Sequence, residues 1–189
     1  MRDEIPIALA TLGAKSVEAT AELADAWLPA FYTAEGAANV WGDALAKGNA
    51  KRDPGRAPLD VFAGGGVSIG KNREPLRDMA RPQIALYVGG MGARQKNFYN
   101  DIFCKSGFEA EAKEIQDLFL AGKKDAAEAA IPDAYLANNS LVGEPEFVTD
   151  RLHALKESGV TSLNVSFFGD DAKERVKACD QLRNLVDAL

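Results

Sequence analysis

Two short stretches hold residue types that can grip an anion or a flat ring. The first is "ATLGAKS", residues 10–16, where a glycine separates an apolar run from the start of a helical pattern. A helix N-terminus leaves backbone N–H groups unpaired and carries a partial positive charge. A phosphate there would meet the amides of Leu12, Gly13 and Ala14, with Gly13 allowing close approach and Lys15 adding charge at the rim. The same residues also make an ordinary strand-to-helix turn, and spacing alone does not separate the two. The second stretch is "LYVGGMGARQKNFYND", residues 86–101. Gly89, Gly90 and Gly92 break or kink a helix. Such a break turns Arg94, Lys96, Asn97 and Tyr99 towards a pocket mouth, or leaves them on a helix-helix corner. "GGMG" lacks the GxGxxG spacing of a dinucleotide fingerprint and does not lie between a strand and a helix.

The other chemistry-bearing residues give less. "AGGGV", residues 63–67, reads as a bulge or a place of tight packing on a strand in preference to a phosphate loop. His153 is the only histidine, lies off its helix's apolar stripe, and reads as a solvated residue. Cys104 and Cys179 stand apart with no CxxC or histidine partner, so neither a disulfide framework nor a metal site is expected. Cys179 is expected in a helix core, and Trp27 and Trp41 as core anchors, although Trp27 sits where a ring could face a ligand. No Ser-His-Asp set or paired carboxylates can be assembled, so the catalytic residues stay unassigned.

These residues need elements to position them. Apolar runs at 5–11, 26–31, 59–70 and 160–168 read as strands, each followed by helical periodicity. "EPEFVTDRLHALKESG" is the helix before the fourth run. The last helix has Asp171 as its cap with Glu174 three residues on, and Val176, Cys179, Leu182, Val186 and Leu189 as its buried stripe. Between about 93 and 137 the alternation gives way to successive helices, an insertion. Strands alternating with helices imply a parallel sheet with right-handed crossovers, either an open layered sheet or part of a closed barrel. Eight strand-helix units need roughly 200 residues or more, so the 189 residues have room for half of a (β/α)₈ barrel. A single domain, 1–189, is expected.

The chain is 47% hydrophobic and 26% charged, the balance of an ordinary globular protein. Its net charge of −6, with only the broken run Lys47 to Arg52 as a basic patch, argues against a nucleic-acid partner. "MRDEIPIALATLG" lacks the basic and apolar segments of a leader, and no run approaches the ~18 apolar residues of a membrane span. A cytoplasmic protein without a membrane partner is expected.

"IPIALATLGAKSVEATAELADAWLP", "LYVGGMGARQKNFYND", "IQDLFLAGKK" and "SLVGEPEFVTDRLHALKESGVTSLNV" together resemble the C-terminal half of the bacterial-luciferase-like oxidoreductases, in the branch that uses the deazaflavin coenzyme F420. The resemblance runs over nearly the whole chain. It implies a TIM barrel of which this chain supplies strands five to eight, and hydride transfer between F420, or alternatively FMN, and a small organic substrate. It implies cofactor binding at Leu12, Gly13, Ala14 and Lys15, and a substrate side formed by the helical insertion, with Met91, Arg94, Lys96, Asn97 and Tyr99 as lining residues. The family's first four strands have no counterpart in the sequence. Four strands alone would expose two unpaired edges and an apolar barrel face. A second copy or a separate N-terminal half-barrel chain is therefore expected as partner, with truncation as a further possibility. The alternatives are a non-catalytic binding or assembly module on this scaffold, and an open flavodoxin-like sheet holding a phosphate ligand.

Overall fold

The computed structural model describes residues 5–189; Met1–Glu4, part of the segment read as free of a leader, lie outside them. Five parallel strands form the sheet: β1 (Ala8–Leu9), β2 (Ala26–Trp27), β3 (Asp60–Ile69), β4 (Ser140–Gly143) and β5 (Ser162–Phe167). β1 pairs with β2 through Ala8 and Ala26, and β2 pairs with the start of β3 through Ala26 and Asp60. β5 runs beside β3 from Phe62 to Val67, and β4 beside its last four residues, Gly66–Ile69.

Hydrogen-bond parity fixes the lanes. Asp60 N–H donates to Asp25 and Gly70 N–H to Gly143, whereas the carbonyls of Val61 and Val67 accept from Thr161 and Phe168. Even positions thus face β2 and β4, and odd positions face β5. The strands of the four repeating units lie in chain order, β1-β2-β3-β5, with β4 continuing the lane of β2 above it.

Every helix that covers this sheet is on one side of it. Val17 and Ala21 of α1 (Ala14–Leu23), Trp41 and Ala44 of α2 (Ala34–Lys51), Val148, Leu152 and Leu155 of α8 (Pro145–Glu157) and Leu182 of α9 (Ala172–Asp187) share one core with Ala63, Val67 and Ile69 of β3. Unreversed strand order with helices on a single face is barrel curvature, and it excludes the flavodoxin-like alternative, which needs helices on both faces.

β4 is the strand the sequence reading lacks. Its four residues, "SLVG", are too few to show alternation and pair only with the end of β3. The other strands fall inside the expected runs but are shorter, the first two by most of their length. β3 accounts for the glycine run: a Cβ on Gly65, whose φ is 132, would meet the Asn139 carbonyl at 2.6 Å, and one on Gly66 the Phe168 ring at 2.5 Å. That is tight packing on a strand, as expected.

The insertion has a core of its own. After a 3-10 helix (Glu74–Ala80) come α3 (Arg81–Gly90), α4 (Phe98–Lys105), α5 (Glu109–Leu120), α6 (Lys124–Ala129) and α7 (Asp133–Asn138). Ile84, Val88, Phe103, Ile115, Ile131 and Tyr135 are its centre. α3, which the pattern reads as continuing a strand-helix unit, packs into this second core instead, so the insertion begins earlier than residue 93.

Two expectations about exposure are corrected. On α9 the buried residues are Ala178 and Leu182, while Val176 is 60% exposed, Val186 38%, and Cys179 is exposed and no part of a core. The helical period is right, but the stripe extends past what the chain places against it. The other face of the sheet is also mixed in character and not uniformly apolar: Phe62 and Val142 share it with Gly64, Gly66, Ser68, Asn164 and Ser166, with the Phe168 ring over Gly66. Exposed apolar residues instead mark the two flanks of the helix-side layer, Ile5, Ile7, Leu9 and Leu23 beside β1 and Val176 and Val186 on α9, while Met79, Leu86, Met91, Phe98 and Leu120 are exposed between β3 and α6. Among the described residues no helix is long and apolar enough to cross a membrane.

Candidate functional site

Two buried tryptophans shape the turn between β1 and α1. A buried indole N–H needs an acceptor. Trp27 Nε1 donates to the Thr11 carbonyl at 2.9 Å and Trp41 Nε1 to the Leu12 carbonyl at 3.0 Å. The two rings meet edge to face at 5.2 Å and are fully or almost fully buried. Thr20 Oγ1, within 2.9 Å of Thr11 Oγ1, ties the same loop to α1. With its carbonyls drawn into the core, the turn is rigid where it leaves the strand.

Gly13 then caps α1 with φ −73° and ψ 144°, ordinary extended values, and no side chain caps the helix. Its carbonyl accepts from Val17 N–H at 2.9 Å and from Ser16 Oγ at 2.8 Å. The amides of Ala14, Lys15 and Ser16 precede the first intrahelical bond and have no carbonyl four residues back inside the helix. All three residues are exposed, and the first turn of α1 contains no acidic residue. A Cβ on Gly13 would sit 3.5 Å from Phe98 Cε1, an ordinary contact. Neither backbone conformation nor packing within the chain therefore requires glycine here.

Phe98, itself 62% exposed, brings the second stretch to the first. α3 ends in Gly89 and Gly90, where Cβ atoms would strike Phe119 of α5, at 2.5 Å from its Cβ and 2.4 Å from its ring, so these glycines let two helices pack closely. Gly92 has φ 149 and leads into a tight turn in which Lys96 N–H donates to the Ala93 carbonyl at 2.8 Å. Asn97 ends the turn and caps α4: its Oδ1 accepts from Tyr99 and Asn100 N–H, and its Nδ2 donates to the Tyr87 and Val88 carbonyls at 2.8 and 3.0 Å.

The expected lining residues divide accordingly. Asn97 is 2% exposed and has its amide group fully engaged, so it shapes the chain and does not face a pocket. Trp27 likewise faces the core, because it shares the helix-side layer with Trp41 and Tyr32; it acts on the turn through Thr11. Arg94 pairs with Asp117 of α5, whose carboxyl is held below its usual range by Lys113 and by Arg94. Met91 and Lys96 stand exposed on the turn. Tyr99 packs perpendicular to Tyr87, 4.6 Å between centroids, and at 5.4 Å from Phe31. Leu12, Gly13, Ala14 and Lys15 stay together as one turn under Phe98.

Elsewhere at the strand ends, a cavity of about 470 Å³ opens between β3, β5 and α9, lined in part by Ser68, Arg73, Phe168 and Lys177. His153 is exposed, as its position off the stripe indicates. Burial, with Glu109 and Asp101, pushes the Cys104 thiol up, away from thiolate reactivity. Among the described residues no group of three or more His, Cys, Asp or Glu could hold a metal ion. Phe98, Phe31, Tyr87 and the Trp41 contact to Leu12 escaped the sequence reading. The aromatic cluster NFY next to the glycines was the available signal for Phe98; the others depend on long-range packing.

The comparisons agree with this architecture. The chain is 34% identical over 169 residues to a Mycobacterium tuberculosis protein named as a coenzyme F420-dependent oxidoreductase, covering 88% of this chain and 48% of that protein. It is 25% identical over 179 residues to the 5,10-methylenetetrahydromethanopterin reductase of Archaeoglobus fulgidus, covering 92% of this chain and 52% of that one. The chain thus spans about half the length of the curated relatives it matches. Among solved structures, the coenzyme F420-dependent tetrahydromethanopterin reductase of Methanopyrus kandleri superimposes with a TM-score of 0.66 at 22% identity, over 94% of this chain and 49% of that one. An F420-dependent secondary alcohol dehydrogenase, in complex with an F420-acetone adduct, gives 0.63 at 14% identity over 97% of this chain and 49% of its own. At these identities the likeness concerns the fold. The luciferase-like monooxygenase family matches residues 1–162, most of the chain, and the chain belongs to that family.

Proposed function

We propose that this chain is the C-terminal half, residues 1–189 as one unit, of a luciferase-like (β/α)₈ barrel that transfers hydride between coenzyme F420 and a small organic substrate. The observation that carries the reading is the turn at Gly13. Its carbonyls are fixed by Trp27 and Trp41, its helix start is uncapped and without acidic residues, and its glycine is demanded by nothing in the chain itself. A phosphate on Leu12, Gly13 and Ala14, with Lys15 at the rim, would use the exposed amides and the positive end of α1. FMN carries a phosphate as well and is the alternative ligand. When bound, the deazaflavin supplies the site that gives or takes the hydride; the chain's own residues hold its anionic end and wall the substrate side with Met91, Lys96 and Tyr99.

The flanks with Ile5, Ile7, Leu9 and Leu23, and with Val176 and Val186, are where the remaining barrel would pack, as a separate N-terminal half or a second copy. On this reading the protein works in the cytoplasm on a small-molecule substrate. Titration with F420 and with FMN, followed by cofactor fluorescence, tests the reading. Saturable F420 binding that weakens as inorganic phosphate is added is expected. F420 that does not bind, or binding indifferent to phosphate and to substitution of Lys15, would overturn it. Binding without turnover in the presence of reductant and candidate acceptors favours the non-catalytic module.

A further inference from the structure

Phe31 is the residue that packs against both hydrophobic cores, that of the sheet and that of the insertion. It follows β2 at the strand ends and holds a left-handed backbone, φ 57, which a bulky side chain adopts only when its surroundings impose it. Its ring lies 5.4 Å from Tyr87 on α3 and 5.4 Å from Tyr99 on α4, and those two rings stand perpendicular to each other. All three side chains are half-buried. The hydroxyl of Tyr32 bonds to Ser158, but those of Tyr87 and Tyr99 have no protein partner among the described residues. Tyr99 also adjoins Phe98, which touches the Gly13 turn. Two phenols without a protein partner thus meet in one aromatic cluster, at the rim where α4 comes beside the amide-bearing turn.

We propose that Tyr87 and Tyr99 are specificity-determining residues that donate hydrogen bonds to an acceptor oxygen on an otherwise apolar substrate, and that Phe31 is the positioning residue that holds them. This rests on the rim being the substrate side of the proposed oxidoreductase. The aromatic wall takes the apolar body; a hydroxyl left without an acceptor in a closed site discriminates against a molecule that lacks the oxygen.

Saturation-transfer NMR with acetophenone and with α-methylstyrene, of similar shape but without the oxygen, tests this on the chain itself. Wild type should prefer the ketone by about 2- to 10-fold. Tyr99→Phe and Tyr87→Phe should each reduce that preference and leave affinity for the hydrocarbon unchanged. Phe31→Ala should reduce it with both hydroxyls present, and Phe31→Tyr should restore it, which general destabilisation would not reproduce. Equal affinity for the two molecules in wild type, no binding of either, or a preference that survives both Tyr→Phe variants overturns the assignment. F420 titration of the same samples separates the two readings, since cofactor binding with no ketone preference sinks only this one.

Discussion

Among the helices that follow strands of this sheet, α9, α2 and α1 differ in the charge of their first turns. α9 starts with Asp171, whose carboxylate accepts from Glu174 N–H at 2.9 Å, while Glu174 reaches back to Asp170 N–H at 3.0 Å. α2 starts with Thr33 accepting from Gly36 N–H and with Glu35, which Arg151 of α8 holds by two bonds. α1 has Gly13 and Lys15, with no acidic group in its first turn. The first two junctions complete themselves with their own side chains. The third is rigidly built, yet leaves its positive end to something else, which teaches that order and satisfaction need not coincide at a strand end.

The comparison breaks most severely if the tryptophan support of α1 is removed. Trp27→Ala should cost about 3–5 kcal/mol in urea denaturation, since it deletes a fully buried ring and frees the Thr11 carbonyl. Acid tests α2. Burial raises the Glu35 carboxyl's pKa, but the hydrogen bond and charge of Arg151 outweigh it, so the net shift is downward. A carboxyl lowered on folding adds stability above its unfolded pKa that is lost as pH falls through the folded one. Wild type should therefore lose about 1–2 kcal/mol more than Glu35→Gln between neutral pH and pH 3, a figure reduced because Glu35 keeps contact with water. Gly13→Asp converts α1 into a junction like that of α9: F420 affinity should fall at least about 10-fold while thermal stability holds or rises by a few tenths of a kcal/mol. Asp171→Ala gives the opposite pattern, about 1 kcal/mol of lost stability with unchanged F420 affinity. Lys15→Gln should have the smallest effect, about 2- to 3-fold in affinity, vanishing at high salt.

The sequence carries β3 and the caps of α9 plainly, because a ten-residue strand that is β-branched and aromatic in part and an Asp-x-x-Glu pattern act within their own neighbourhood. β4 escapes, since four residues hold no period and its partner lies seventy-odd positions earlier in the chain. Gly13 is visible as a turn, but the rigidity of that turn depends on Trp41, twenty-nine residues from the Leu12 carbonyl it holds. Asn97 shows why residue type misleads at a site: the amide suited to a ligand is the same amide that caps a helix, and only the neighbouring carbonyls of Tyr87 and Val88 decide. The α9 stripe fails for another reason, namely that periodicity reports which face is apolar and not what covers it.

β3 pairs with three other strands, β5 from Phe62 to Val67 and β2 and β4 at its two ends, whereas β1 offers two residues to a single neighbour. Amide hydrogens of β3 that face β5, such as those of Ala63 and Gly65, should therefore exchange with deuterium only when the whole sheet opens, and those of β1 far sooner. Loss of structure would spread from that leading margin inward, taking the turn at Gly13 before the glycine run at the centre is disturbed.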